Sequence, residues 1–198
     1  MTAAHTAPQS IANERSRVLL INGSEGDQRT GRMVCLAREL LEAEGLGVDL
    51  LDPALHQGAE VYEKWLFAHA VMAIAPAGSQ AIASHFKPAI DRMAQAGFPA
   101  QLAERAYGVV VHGDGAQATR VELSDWFDGM GMVDSDSFAT LDCYLGYHEP
   151  SAGAEPVLRR DADYRAEVRN VARAVANAMA ELRAGRLSPP ERRAARAA

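Results

Sequence analysis

Four short apolar runs, separated by segments of a different periodicity, constrain the fold of this chain more than any other feature. The runs are RVLLIN (17–22), GVDLL (47–51), AVMAIA (70–75) and YGVVVH (107–112). They are too short for helices, and most are apolar throughout, which is typical of strands covered on both faces. A fifth, weaker candidate is DSFATL (136–141). The sequence therefore predicts five buried strands.

The segments between these runs carry helical spacing. After the first run, apolar residues recur at i, i+3, i+4, i+7 and i+8, and Gly45 is placed to end the helix. These residues are Met33, Leu36, Ala37, Leu40 and Leu41. A second helix is predicted over 59–68. A third is predicted to start between Ser84 and Lys87, with Pro88 in its first turn.

Two more helices are predicted after the fourth run. The first has Leu123, Trp126, Phe127 and Met130 at helical spacing, and TRVE (119–122) matches a capping box at its start. The last carries one apolar side before Gly185, made of Tyr164, Val168, Val171, Val175, Met179 and Leu182. Because parallel strands need crossover connections, these elements predict a doubly wound parallel α/β sandwich.

Composition limits the number of domains and the kinds of partner. A chain of 198 residues with 48% apolar residues builds one domain, which we place at 17–185 between flexible tails at 1–16 and 186–198. The formal charge of −6 argues against a nucleic-acid binder. Cys35 and Cys143 have no metal or disulfide spacing, and no run reaches the ~18 apolar residues that cross a bilayer. We expect a cytoplasmic protein with no metal, membrane or nucleic-acid partner.

In open parallel sheets, ligands bind beyond the carboxyl ends of the strands, so the loops there are candidate sites. The loop NGSEGDQRTG (22–31) offers hydroxyls and a helix start that favour an anion such as phosphate, although a turn that only caps the helix also explains it. It matches neither the dinucleotide nor the Walker fingerprint. The loops after the third and fourth runs, at 76–92 and 112–117, also carry glycines. Three such loops at one edge predict one binding cleft.

The order and spacing of these loops resemble those of the flavodoxin-like NAD(P)H-dependent FMN reductases and quinone reductases, over about residues 17–184. The segments that carry the resemblance are NGSEGDQRTGRM, PAGSQAIASHFKPAIDRM and VVVHGDGAQ. The resemblance implies a flavodoxin-like three-layer sandwich with strand order 2-1-3-4-5. It also implies FMN as cofactor, NAD(P)H as co-substrate, a quinone, a flavin or a similar small molecule as electron acceptor, and a homodimer or homotetramer.

The resemblance also implies the site residues. Those around the FMN phosphate would be Ser24, Gln28, Arg29, Thr30 and Gly31. Those along one edge of the ring would be Pro76, Ala77, Gly78, Ser79 and Gln80, with a backbone amide of Gly78 or Ser79 reaching flavin N5. Those on the other side would be His112, Gly113, Asp114 and Gly115. His112 is the candidate proton donor, since its ordinary pKa lies near neutrality, although a structural histidine is the alternative.

Other functions stay open. Glu25 and Asp27 place negative charge near the expected phosphate, and Ala77 stands where the family often has an aromatic residue. These features leave a flavodoxin-type electron carrier, or a binding or scaffold protein with a degenerate cofactor site, as alternatives. Tyr144, Tyr147 and His148 either wall the neighbouring active site in a dimer or anchor a surface loop. A receiver domain is excluded because AIAPAG ends the third strand without an aspartate, and AGSQA is not a serine-hydrolase elbow.

Overall fold

A computed structural model describes residues 16–52, 55–56, 59–78, 104–113, 116–135 and 157–186. Its strands are β1 (Arg17–Asn22), β2 (Gly47–Leu51), β3 (Ala70–Pro76), β4 (Ala106–His112) and β5 (Val133–Asp134). Its helices are α1 (Gln28–Ala43), α2 (Ala59–Phe67), α3 (Ala116–Gly129) and α4 (Val157–Arg183). The first four predicted strands are confirmed to within one residue at each end.

The five strands form one parallel sheet in the order β2-β1-β3-β4-β5. Val18 of β1 lies opposite Val48 of β2 on one side and Ala70 of β3 on the other. The chain therefore leaves β1 toward one edge of the sheet and returns to its other side for β3. This reversal is the point at which open α/β sheets bind ligands. The predicted doubly wound fold and strand order are confirmed.

Alternating strand residues supply two separate apolar layers. Val18 and Leu20 of β1 pack on one face with residues of α1 and α4, whereas Leu19 and Ile21 pack on the other face with residues of α2 and α3. Because successive strand side chains point to opposite faces, one all-apolar run serves both layers. This explains why the strands do not alternate between apolar and polar residues.

Helices α1 and α4 confirm the predicted apolar faces. In α1, Met33, Ala37 and Leu41 are buried, and Leu36 and Leu40 are partly buried. In α4, the buried residues include Val168, Val171, Val175 and Met179. In the described ranges, no helix is both long enough and apolar enough to span a membrane.

Gly108 sits in the middle of β4, where α4 crosses the sheet closely. A Cβ atom there would lie 2.6 Å from Val175 Cγ2 and 2.9 Å from Val171 Cγ1. Real Cβ atoms essentially never lie that close to another carbon to which they are not bonded, so a side chain at position 108 would push α4 away from the sheet. Glycine is required here for close packing.

The predicted start of the helix after β4 is wrong. Helix α3 begins at Ala116, so Thr119 lies inside its first turn and does not cap it. The Thr119 hydroxyl instead accepts a hydrogen bond from the backbone of Gly78, a contact that local spacing does not reveal. Helix α2 ends at Phe67, one residue before its predicted end.

The fifth strand of the sheet is not the predicted one. Its two residues, Val133 and Asp134, pair with Ala106 and Tyr107 of β4. A strand of two residues is too short to show periodicity, which is why the sequence did not reveal it. The strand predicted at 136–141, the helix predicted from 84–87 and most of both predicted tails lie outside the described residues.

Candidate functional site

The loops after β1, β3 and β4 lie side by side at the carboxyl edge of the sheet. The Gly23 amide donates to the Ile74 carbonyl over 2.7 Å, and the Ala77 amide donates to the His112 carbonyl over 2.6 Å. Each of these bonds extends the pairing of neighbouring strands by one residue beyond the strand ends. The starting points of all three loops are therefore fixed relative to one another by the backbone.

Asp27 caps the N-terminus of α1. Its Oδ2 atom accepts hydrogen bonds from the Thr30 amide over 2.8 Å and from Thr30 Oγ1 over 2.6 Å. Gly26, with a φ of 99°, makes the turn that brings Asp27 into this position. Free amides at a helix start attract anions. Here a carboxylate of the chain itself lies where the sequence predicts a phosphate.

His112, the last residue of β4, contacts both Thr30 and Asp27. Its Nε2 atom lies 2.7 Å from Thr30 Oγ1 and 3.5 Å from Asp27 Oδ2, and its side chain is only 6% exposed. Because the Thr30 hydroxyl gives its one hydrogen to the charged Asp27 oxygen, His112 Nε2 must donate to Thr30. The resulting chain of bonds, from His112 to Thr30 to Asp27, joins the third loop to the first.

The pKa values of His112 and Asp27 indicate a neutral imidazole beside a charged carboxylate. Burial lowers the pKa of His112 to about 4, against the opposing effect of Asp27 and with a further small decrease from Arg29. Burial alone would raise the pKa of Asp27, but hydrogen bonds from Thr30 and from the Arg29 amide leave it below its usual value. At neutral pH, the His112 and Asp27 contact is therefore not an ion pair.

The second loop is tied to α3. The Gly78 amide donates to Thr119 Oγ1 over 2.9 Å, and Gly78 adopts a φ of 70°, which favours glycine. Gly113, with a φ of 104°, comes close to Ala77: a Cβ at position 113 would lie 3.5 Å from the Ala77 Cβ. Within the described ranges, a Cβ at Gly78 would meet no atom within 4 Å. Among the described residues, none fills that side of Gly78.

A second polar group lies where β1 and β2 end, and two of its residues, Asn22 and Asp52, were not among the predicted site residues. The Asn22 amide group donates to Asp52 Oδ2 over 2.7 Å, and Asn22 Oδ1 accepts from the Ser24 amide over 3.2 Å and from Ser24 Oγ over 3.1 Å. Ser24 is buried, and its hydroxyl donates to Asn22. The available signal was a polar residue at the end of each of two adjacent strands, Asn22 as the last residue of β1 and Asp52 directly after β2.

The structure brings the described part of the predicted site together only in part. Thr30, His112, Ala77, Gly78 and Gly113 meet through the contacts above. Gln28 and Arg29 lie in the first turn of α1, exposed and half-buried respectively. The Gly31 amide donates to the Asp27 carbonyl over 3.0 Å. Pro76 is the last residue of β3 and lies opposite His112 of β4. The predicted residues outside the described ranges are Ser79, Gln80, Asp114, Gly115, Tyr144, Tyr147 and His148.

Comparison with solved structures identifies the architecture. The fold is flavodoxin-like. FerB from Paracoccus denitrificans, a flavoenzyme NAD(P)H:(acceptor) oxidoreductase, matches with a TM-score of 0.57 at 15% identity, covering 82% of this chain and 98% of that chain. A flavodoxin, WrbA-like protein from Agrobacterium tumefaciens matches with a TM-score of 0.53 at 16% identity, covering 82% and 98%.

A third match is the diflavin flavoprotein A3 from Nostoc sp., with a TM-score of 0.52 at 13% identity, covering 85% of this chain and 99% of that chain. No protein-family model and no curated protein sequence matches the chain. At these identities, the structural likeness shows the fold alone, because one fold carries many functions.

Proposed function

We propose that this protein is a flavin-dependent oxidoreductase that passes electrons from NADH or NADPH through FMN to a quinone, a flavin or a similar small acceptor. The observation that carries the proposal is the alignment of three glycine-bearing loops at the strand-order reversal, fixed by the Gly23 and Ala77 backbone bonds. Structural neighbours whose names identify them as flavoproteins add support. A homodimer or homotetramer in the cytoplasm is part of the same proposal.

The two ends of a flavin fit this edge differently. Gly78 is exposed, and within the described ranges a Cβ there would meet no atom within 4 Å, which suits a flat ring beside the second and third loops. At the phosphate end, the Asp27 carboxylate lies at the start of α1. The residues proposed to surround the phosphate are Ser24, Gln28, Arg29, Thr30 and Gly31. Those proposed along the ring are Pro76, Ala77, Gly78, Ser79, Gln80, His112, Gly113, Asp114 and Gly115.

The chain's own residues bind and orient the reactants in this proposal. The chemistry that a bound flavin supplies is acceptance of a hydride and its onward transfer as electrons. His112 is neutral and donates to Thr30, so its environment favours a positioning role over proton donation. The Gly78 amide already donates to Thr119, so it fixes the loop and is not available to flavin N5.

A binding protein with a degenerate cofactor site is the second candidate. The Asp27 carboxylate favours it, because a negative charge at the start of α1 repels the phosphate of FMN. An electron carrier would bind flavin but would not accept hydride from a nicotinamide. Binding and reduction therefore have to be measured separately.

The test mixes the purified protein anaerobically with FMN and either NADH or NADPH. We expect the protein to quench flavin fluorescence on binding and to bleach the flavin absorbance band when the nicotinamide is added. Quenching without bleaching would point to an electron carrier. Absence of both would overturn the proposal in favour of the binding protein.

Two glycine variants test whether the reaction takes place at this edge. Gly78 and Gly45 have similar φ values, 70° and 79°, and a Cβ at either position meets no described atom within 4 Å. Gly78→Val and Gly45→Val therefore strain the backbone alike, but only the first fills space beside the proposed ring. We expect Gly78→Val to lose flavin reduction while Gly45→Val retains it. Equal loss in both would remove this edge from the site.

A further inference from the structure

At the start of α1, the Asp27 carboxylate accepts hydrogen bonds that a bound anion could otherwise accept. The backbone amides of a first helical turn carry partial positive charge and lack partners within the helix. One Asp27 oxygen accepts from both the amide and the hydroxyl of Thr30. Two donors that a phosphate would otherwise use, the Thr30 amide and the Thr30 hydroxyl, are thus satisfied inside the chain.

The other hydroxyl expected at the phosphate is also bound within the chain. Ser24 Oγ donates to Asn22, which is itself held by Asp52. A phosphate could recruit Ser24 and Thr30 only by replacing both Asn22 and Asp27 as their acceptors. Direct displacement of Asp27 would leave two anions close together at one helix end.

His112 makes the Asp27 position hard to vacate. The buried imidazole donates to Thr30 Oγ1, which turns the single hydroxyl hydrogen toward Asp27. The imidazole is neutral at pH 7, so it adds no positive charge that would offset a second anion. The side chain of Asp27 is 40% exposed, so an approaching phosphate would meet its carboxylate.

We infer that Asp27 occupies the phosphate position of the flavin site and so determines which flavins the site holds. This inference rests on the proposed function. Because the Asp27 carboxylate cancels the benefit of a phosphate, riboflavin and FMN bind about equally well, and the flavin exchanges with solution as a dissociable ligand. Asp27 is then a specificity-determining residue for the phosphate end of the ligand.

Two variants remove the charge and keep the helix cap. Asn and Ser both accept from backbone amides at N-cap positions, so Asp27→Asn and Asp27→Ser preserve the start of α1. Glu25→Gln is the matched control, because it removes the same charge from an exposed position in the same loop. The affinities of riboflavin and FMN are measured by fluorescence titration for each protein.

We expect the wild-type protein to bind the two flavins with affinities within a factor of about three. In Asp27→Asn and Asp27→Ser, the affinity for FMN should rise about tenfold relative to riboflavin, whereas Glu25→Gln leaves the ratio unchanged. A wild-type protein that binds FMN at least about tenfold more tightly than riboflavin would overturn the inference.

Inorganic phosphate gives a readout that does not depend on flavin. We expect phosphate, compared with chloride at equal ionic strength, to raise the melting temperature of Asp27→Ser but not of the wild-type protein. If this gain appears and no flavin binds, the placement of Asp27 is supported and the flavin function is overturned. If the Asp27 variants gain neither phosphate stabilisation nor FMN affinity, the inference is wrong, whether or not flavin binds.

Discussion

A basic residue lies at each end of β4, and the two residues have different kinds of hydrogen-bond partner. Before the amino end, Arg105 donates to the carbonyls of Trp65 and Leu66, over 2.6 Å and 3.1 Å, in the last turn of α2. At the carboxyl end, His112 donates to the Thr30 side chain, which donates to Asp27. The Arg105 side chain thus bonds to main-chain acceptors, whereas the His112 side chain bonds to another side chain. The carbonyls of the last turn keep their positions as long as α2 is folded, whereas a side chain such as Thr30 can change its partner by rotating.

The basic residues at the two ends of β4 also differ in charge. Burial lowers the pKa of Arg105, but a guanidinium stays charged at physiological pH and stabilises the C-terminus of α2. His112 is neutral, so the carboxyl end keeps the negative charge of Asp27 without compensation from the imidazole. The charge at the amino end therefore stays constant, whereas the carboxyl end holds a group that titrates and the residues proposed to meet a ligand.

The largest expected effect is a loss of stability at low pH that arises at the carboxyl end of β4 and not at the amino end. The folded-state pKa of His112, about 4, lies below its ordinary value of 6.5. As pH falls below 6.5, the unfolded chain takes up a proton and the folded chain does not, so stability falls until pH reaches about 4. The loss attributable to His112 is roughly 3 kcal/mol. The charged groups facing His112 are Asp27 and Arg29, and the ordinary pKa of Asp27 already lies below this window.

Urea denaturation across this pH range measures the effect. His112→Gln keeps a side-chain donor for Thr30 but does not titrate, so it should remove most of the loss. Arg105 contributes nothing here, because it remains charged throughout. A His112→Gln protein as sensitive to pH as the wild type would show that the imidazole is not the group responsible.

The second effect tests the amino end. Arg105→Met keeps much of the apolar stem but leaves the Trp65 and Leu66 carbonyls without their charged donor. We expect a loss of about 2 kcal/mol in the free energy of unfolding, measured by chemical denaturation, and no change in the ratio of FMN to riboflavin affinity. Arg105→Lys should recover part of the stability. A changed affinity ratio would mean that the two ends of the sheet are coupled.

Local patterns accounted for most of the fold. The first four strands and the apolar faces of α1 and α4 follow from runs and repeats that need no partner to be recognised. The failures depend on partners. Val133 and Asp134 form a strand only because β4 offers an edge, and Thr119 bonds to Gly78, 41 residues earlier in the chain. No regular spacing of residues in the sequence predicts either contact.

The candidate site was predictable at the level of loops but not of hydrogen bonds. The sheet order alone brings the three loops to one edge, so their meeting could be expected. The bond between Thr30 and His112 joins residues 82 positions apart, and no spacing rule predicts it. Asp27 was visible as an acid near an expected phosphate. Its role as the cap of α1 depends on the turn at Gly26.

The smallest effect concerns the hydrogen bond between the second loop and α3. Thr119→Val keeps the shape of the side chain but removes the acceptor for the Gly78 amide. Because Gly78 is exposed, water can replace the lost partner, and the expected loss is only about 0.5–1 kcal/mol. Hydrogen exchange at the Gly78 amide should accelerate, and Thr119→Ser should restore the protection. If exchange stays slow in Thr119→Val, backbone contacts such as that between Ala77 and His112 hold the second loop by themselves, and the carboxyl end depends less on side chains than the comparison implies.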